Sequence, residues 1–205
     1  MSYHHIFGPV PSRRLGISLG VDLVTHKICS LDCVYCECGK TTCLTLERGP
    51  YVPFEAVKTE LDHYWKHNED PDYITFSGSG EPTLNQDLGR VIAYIKEQKP
   101  GVKVAVLTNS TLLKDPKVRQ ELALADLVVP SLDAASKAAF TRLNRPVKGV
   151  SVQDIIQGIQ VFALGFTGKI WLEIFILPGV NDTDKELKAL KEVILSIAPE
   201  MVQLN

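Results

Sequence analysis

Cys29-Ser30-Leu31-Asp32-Cys33-Val34-Tyr35-Cys36 brings three cysteines together at the spacing C-x3-C-x2-C. Thiolates are soft ligands, and local spacing of this kind marks an iron–sulfur or zinc site. A structural zinc wants a closed set of four ligands, usually gathered as two separated pairs, so three close thiolates suit a cubane of four irons better. One iron then lacks a protein thiolate and stays open to a small molecule. The spacing points to a cluster that does chemistry rather than one that only passes electrons. A zinc knuckle completed by Cys38 or Cys43 is the other reading of the same residues.

Just before this stretch, Leu15, Ile17, Leu19 and Val21 alternate with Gly16, Ser18, Gly20 and Asp22, which predicts a strand over 15–23. Residues 25–50 keep no period and contain Gly39, Gly49 and Pro50, so they read as a long cluster-binding loop. Beyond it, helical and strand patterns take turns. Helices are expected from Pro53 to Asn68, over 88–98, over 134–143, between the Ser151 cap and a Gly165 stop, and after the capping box Thr183-x-x-Glu186. Strands are expected at 73–77, 102–107, 126–132, 169–177 and from Met201 to Leu204. Such alternation implies right-handed βαβ units and a parallel sheet with outer helices. Six units fall short of the eight that close a TIM barrel, so the expected fold is an α/β open (β/α)6 partial TIM barrel. The reading gives one domain over 1–205, with residues 1–14, around Gly8-Pro9-Val10-Pro11, as an irregular N-terminal arm. The chain stops as its sixth strand ends, as the core of a longer protein without its C-terminal extension would.

The 205 residues at 45% hydrophobic composition suffice for one buried core, and a formal charge of −2 offers no broad basic surface and no strong nucleic-acid signal. All five cysteines lie between residues 29 and 43, unlike a disulfide framework, and the start lacks the apolar run of a signal peptide. A reducing, cytoplasmic compartment is expected. The most apolar stretch, Ile170 to Leu177, is interrupted by Glu173 and is far from the ~20 residues a membrane span needs, so no membrane partner is expected.

In parallel α/β folds ligands bind at the C-terminal ends of the strands. The polar motifs fall there: the cysteines after strand one, Gly78-Ser79-Gly80-Glu81-Pro82 after two, Thr108 and Asn109 after three, Ser131 and Asp133 at the end of four, Asn181 after five, Asn205 at the end of six. Lys27, Lys40 and Arg48 are candidates to offset the charge of a thiolate-bound cluster. Period two places Trp171, Glu173, Phe175 and Leu177 on one face of strand five and the aliphatic Ile170, Leu172, Ile174 and Ile176 on the other. Glu173 should therefore point into the barrel, to meet the cofactor, the substrate, or a basic residue such as Arg142 or Arg145; a purely structural ion pair is the alternative.

With Tyr35 as its aromatic residue, C-x3-C-x-φ-C resembles the signature of the radical S-adenosylmethionine (radical SAM) superfamily. The run from Gly8 to Gly16 also resembles the opening of a poorly characterised group of Fe–S oxidoreductases related to wyosine synthases. The resemblance implies a [4Fe–4S] cluster on Cys29, Cys33 and Cys36, with S-adenosylmethionine on the fourth iron and Tyr35 beside its adenine. Gly80, Glu81 and Pro82 match the family's G-G-E-P turn, which holds the cofactor's amino group, while Ser79 stands where its first glycine is usual. Thr108, Asn109 and Ser131, with Asp133 at the same strand end, fall where carboxylate or ribose contacts come from; Leu177 and Pro178 lie near the adenine, and Glu173 faces the same space. The implied activity is reductive cleavage of the cofactor to methionine and a 5′-deoxyadenosyl radical that abstracts a substrate hydrogen. An electron donor such as flavodoxin or ferredoxin is implied with it. The substrate is left open among a small molecule, a peptide and a modified nucleoside, and a glycyl-radical activase shares these motifs. A non-catalytic Cys-rich module holding zinc or an Fe–S cluster is the alternative outside catalysis.

Overall fold

In the computed structural model, which describes residues 2–205, the chain begins with a correction to the expected arm. Ile6–Ser12 is a strand, β1, antiparallel to β2 (Gly16–Val21), with Ile6 opposite Val21 and Ser12 opposite Gly16. The register slips between Phe7 and Val10, across the Gly8-Pro9 step, so no clean alternation survives for the sequence to display. The strand is pinned from a distance. Glu60, buried on α1 (Phe54–His67), accepts the backbone N–H groups of His4, His5 and Ile6 at 2.9, 2.9 and 3.1 Å.

Within the cysteine loop two short pieces pair in parallel, β3 (Ile28–Cys29) and β4 (Cys43–Leu44). After α1, which buries Phe54, Val57, Leu61 and Tyr64 at helical spacing, the βα rhythm follows the expected order. Its elements are β5 (Tyr73–Phe76), α2 (Leu88–Gln98), β6 (Lys103–Thr108), α3 (Pro116–Leu122), β7 (Leu127–Pro130), α4 (Lys137–Leu143), α5 (Val152–Gly165), β8 (Lys169–Ile174), α6 (Asp184–Ile197) and β9 (Met201–Leu204). The sheet order is β1-β2-β5-β6-β7-β8-β9, and every pairing from β2 onward is parallel. Six parallel strands with outer helices make the partial barrel expected from the sequence.

Four local details differ. The seven-residue α3 is too short to show a period, and only its Asp115-Pro116 start marks it: the Asp115 carboxylate accepts the Lys117 N–H at 2.8 Å. β8 ends at Ile174 rather than Leu177, because the Phe175 N–H leaves the ladder to donate to Asp133 Oδ1 at 2.8 Å. The capping box at Thr183 is only half formed. Thr183 caps Glu186 N–H, but the Glu186 carboxylate crosses to the Ala135 and Ser136 N–H groups at 2.6 and 2.9 Å. Gly165 is the last helical residue of α5, and Phe166 closes it through a bond to the Phe162 carbonyl.

The strands bury both faces, as parallel sheets do. Ile170, Leu172 and Ile174 pack with Ile74, Phe76, Val104, Val106 and Val128 beneath the helices. Leu15, Ala105, Leu107, Leu127, Val129 and Trp171 form a separate cluster on the inner face. The two faces of β8 are thus those that period two assigns. Among the described residues no helix is long and apolar enough to cross a membrane.

Removing the Glu60 anchor leaves three N–H groups to be resolvated. Glu60→Ala should lower the unfolding free energy by about 2 kcal/mol in urea titration, hydrogen bonds to a charged group being worth roughly that. Amide exchange at residues 4–6 should accelerate; unchanged exchange there would show that β1 is held by β2 alone.

Candidate functional site

Glu81 stands directly after the glycine turn that follows β5 and is 2% exposed. Its carboxylate accepts four bonds, from the Thr83 N–H (3.1 Å) and hydroxyl (2.5 Å), the Thr108 hydroxyl (2.7 Å) and the Asn109 N–H (2.7 Å). Burial pushes its pKa up, and these donors work the other way. They join the β5 turn, with Pro82 opening a short 3-10 turn at Pro82–Leu84, to the end of β6. Gly80 makes the second joint. A β-carbon there would lie 1.9 Å from the Ile28 carbonyl oxygen, which also accepts the Glu81 N–H at 3.1 Å. Only glycine lets the turn approach the head of the cysteine loop this closely. Ser79, the departure from the family's glycine, is used: its N–H and hydroxyl both donate to Asp22 Oδ2, at 2.8 and 2.6 Å, at the end of β2.

Two asparagine amides face the cysteine sulfurs. Asn109 Nδ2 donates to Cys29 Sγ at 3.4 Å, with its Oδ1 held by the Thr111 N–H and hydroxyl; Asn144 Nδ2 donates to Cys33 Sγ at 3.4 Å and to Asp133 Oδ2 at 2.7 Å. Burial pushes the Cys29 thiol up to about 11, with the Glu81 charge adding to it, and the Cys33 thiol up to about 12. Lys27 is buried beside them, its Nζ donating to the Gly39 carbonyl at 2.6 Å. Burial works against its charge, yet the hydrogen bond to Cys36 and the proximity of all three cysteines hold its pKa above the ordinary lysine value. Lys40 is exposed. Arg48 is committed elsewhere, to the Thr83 and Asn85 carbonyls and an ion pair with Glu121.

Tyr35 stacks on Phe175, centroids 3.9 Å apart and planes 8° from parallel, and its hydroxyl donates to Asp133 Oδ2 at 2.5 Å. Burial and the Asp133 charge raise its pKa far above the usual phenol value. Burial likewise raises that of Asp133, whose oxygens are taken up by Tyr35, Asn144 and the Phe175 N–H. Cys33, Tyr35, Asn109, Ser131, Asp133 and Asn144 line one cavity of about 40 Å³. Thr108 does not line it; it is buried with its hydroxyl bonded to Glu81. Leu177 sits in the turn after β8, its N–H donating to Asn181 Oδ1 at 2.7 Å, and Pro178 is exposed beside it.

Glu173 faces the barrel interior, but its partner is not the one anticipated. Arg142 donates to the Gly179 carbonyl and Arg145 lies 4.0 Å from Asp32; Glu173 Oε1 instead accepts from Asn205 Nδ2 at 2.8 Å. Asn144, the cap of α4, and Asp22 are the residues sequence reading missed. Asp22 ends a strand and was findable by the rule that found the others, whereas nothing local marks Asn144.

Among the described residues no three Cys, His, Asp or Glu side chains converge as the ligands of a single ion do. The thiolates of a cubane hold separate irons, and amide donors aimed at sulfur, with a buried lysine beside it, suit such a negatively charged group.

The family model of the radical SAM superfamily matches residues 23–190. The chain belongs to the radical SAM superfamily, a class of enzymes whose cofactors are S-adenosylmethionine and an iron–sulfur cluster. A UPF0026 protein of Synechocystis is 38% identical over 203 residues, the match covering 98% of this chain and 74% of that protein. A UPF0026 protein of Methanocaldococcus jannaschii is 34% identical, with 97% and 62% covered. A Brachyspira hyodysenteriae protein named GTPase Obg is 40% identical over 199 residues, which span 97% of this chain but only 29% of that protein. In fold, this radical SAM chain is similar to TYW1 with a lysine-pyruvate adduct bound, at TM-score 0.66 and 19% identity, 91% of this chain superposing on 63% of that one.

Glu81→Gln is no neutral probe of this site. An amide NH2 in place of either carboxylate oxygen meets a donor, since both oxygens accept from the protein. The substitution should cost about 1–3 kcal/mol in urea unfolding. Wild-type stability would mean that the turn and β6 are joined by other bonds.

Proposed function

We propose that this chain is the catalytic core of a radical SAM enzyme holding a [4Fe–4S] cluster on Cys29, Cys33 and Cys36. The single observation that carries the reading is the pair of amides, Asn109 and Asn144, directed at Cys29 Sγ and Cys33 Sγ from the end of β6 and from the C-terminal cap of α4. A cluster held by Cys29, Cys33 and Cys36 would supply the one-electron reductive cleavage of the S–C5′ bond of S-adenosylmethionine, to methionine and the 5′-deoxyadenosyl radical that hydrogen abstraction from a substrate requires. The electron would come from a donor of the flavodoxin or ferredoxin kind.

This chain's own part is to bind, orient and exclude water. Cys29, Cys33 and Cys36 fix the cluster; Asn109, Asn144 and Lys27 offset its charge. Glu81 holds the Thr108–Asn109 end of β6 against the glycine turn, so the Gly80 carbonyl stays at a set position for a polar cofactor group. Tyr35, stacked on Phe175, offers a flat wall to the adenine near Leu177 and Pro178. Ser131 and Asp133 close that side.

Anaerobic purification with iron and sulfide analysis tests the assignment. Cys29→Ala, Cys33→Ala and Cys36→Ala should each abolish visible absorption and iron retention, while Cys38→Ala and Cys43→Ala keep both. Loss of the cluster on replacing Cys38, or stoichiometric zinc in wild type, sinks it.

Asn144→Leu removes one N–H···S bond, and such bonds favour the reduced, more negative cluster. Its reduction midpoint, followed by electron paramagnetic resonance, should fall while iron content holds. An unmoved midpoint would leave Asn144 only a cap of α4.

A further inference from the structure

On the inner face of the barrel a cavity of about 120 Å³ opens between the β1–β2 turn and the strands across from it. Leu15, Leu107, Val129 and Trp171 give it apolar walls, and two opposite charges, Arg14 and Glu173, border it. The Asn205 side chain stands between them, its Oδ1 accepting from Arg14 at 3.2 Å and its Nδ2 donating to Glu173 at 2.8 Å. Arg14 also donates to Gln203. Among the described residues neither charge belongs to an ion pair. The Trp171 indole N–H is buried with no acceptor. Around this small apolar cavity the fold thus sets a cation and an anion that are hydrogen-bonded only to neutral amides, beside a residue whose buried indole N–H has no partner.

We propose that this cavity is a substrate subsite and that it takes the head group of an α-amino acid, carboxylate against Arg14 and ammonium against Glu173. A guanidinium offers paired donors that match a carboxylate, and a carboxylate accepts from an ammonium in a charge-assisted bond. A ligand carrying only one of these charges leaves the other protein charge uncompensated. The size agrees, since a cavity of about 120 Å³ has room for several waters and so for a head group with a short side chain. Position agrees as well: Ser131, which lines the cavity beside Cys33, pairs across the sheet with Glu173. A ligand held by Glu173 therefore lies one strand away from the cysteine site. Calling the ligand a substrate rests on the radical SAM reading; the recognition chemistry does not.

The test uses the nitrogen-15-labelled full chain with its cluster reconstituted and its iron counted first. L-alanine, propionate and ethylamine are titrated in while the Trp171 indole N–H resonance, assigned with Trp171→Phe, is followed. L-alanine should shift it saturably, and propionate and ethylamine, each bearing one of the two charges, should bind at least about tenfold more weakly. Arg14→Gln, on the exposed turn, should cut alanine affinity about tenfold and leave ethylamine unchanged, whereas Glu173→Gln should cut alanine similarly and leave propionate unchanged. A resonance that alanine does not move, propionate that binds as well as alanine, or variants that bind alanine like wild type would each overturn the proposal. Alanine recognition in a chain that retains no iron would overturn the radical SAM reading and leave the ligand chemistry standing; full iron with no alanine response would do the opposite.

Discussion

A carboxylate taken out of water is tolerable only when its lone pairs are used, and Glu81 uses them on two separate loops. Thr83 lies in its own turn, but Thr108 and Asn109 belong to the next strand end, so one charge fastens the mouth of β5 to that of β6. The fastening then spreads. Asn109, fixed through its backbone by Glu81 and through its side chain by Thr111, is the residue whose amide meets Cys29, and Gly80 seats the same turn on Ile28, the residue before Cys29. The position of the first cysteine is thus set by β5 and β6 as much as by its own loop. A loop of this length without such ties would pay a large ordering entropy whenever it closed on a ligand.

The helical and parallel-strand rhythm was legible because the strands are short apolar runs bounded by turn residues, while α1, α2 and α6 are longer and carry the 3.6 period. The faces of β8 were legible because Trp171, Glu173 and Phe175 fall on one parity and the aliphatic Ile170, Leu172 and Ile174 on the other. What escaped was set by contacts remote in sequence. β1 carries two prolines and a slipped register, and its anchor Glu60 is 54 residues from Ile6. Asn144 stands 111 residues from Cys33. The partner of Glu173 is not an arginine but the amide of Asn205, because β9 pairs directly with β8 and Asn205 follows its last residue. Residue types with one dominant use, such as cysteine at fixed spacing or glycine after a strand, speak from sequence; asparagine, with many uses, does not.

The barrel is open, and its gap is crossed by side chains rather than by a ladder. Arg14 reaches from the β1–β2 turn to Gln203 and Asn205 on the far strand, 189 and 191 positions along the chain. Such a closure separates at lower cost than strand pairing does, because no backbone hydrogen bonds need break. The interior can then admit a ligand past the hairpin without disturbing the joined strand ends that hold the cysteines.

The same hairpin sets the chemistry of one margin of the sheet. A terminal strand ordinarily presents a row of amide donors on which a second chain can build. In β1, Pro9 and Pro11 have no N–H to offer, and the register slip bends the strand besides. β9, at the opposite margin, has no proline and leaves Met201, Val202 and Leu204 partly open to solvent. Polymerisation edge to edge needs two willing margins, and the prolines of β1 make that margin a poor template for strand addition.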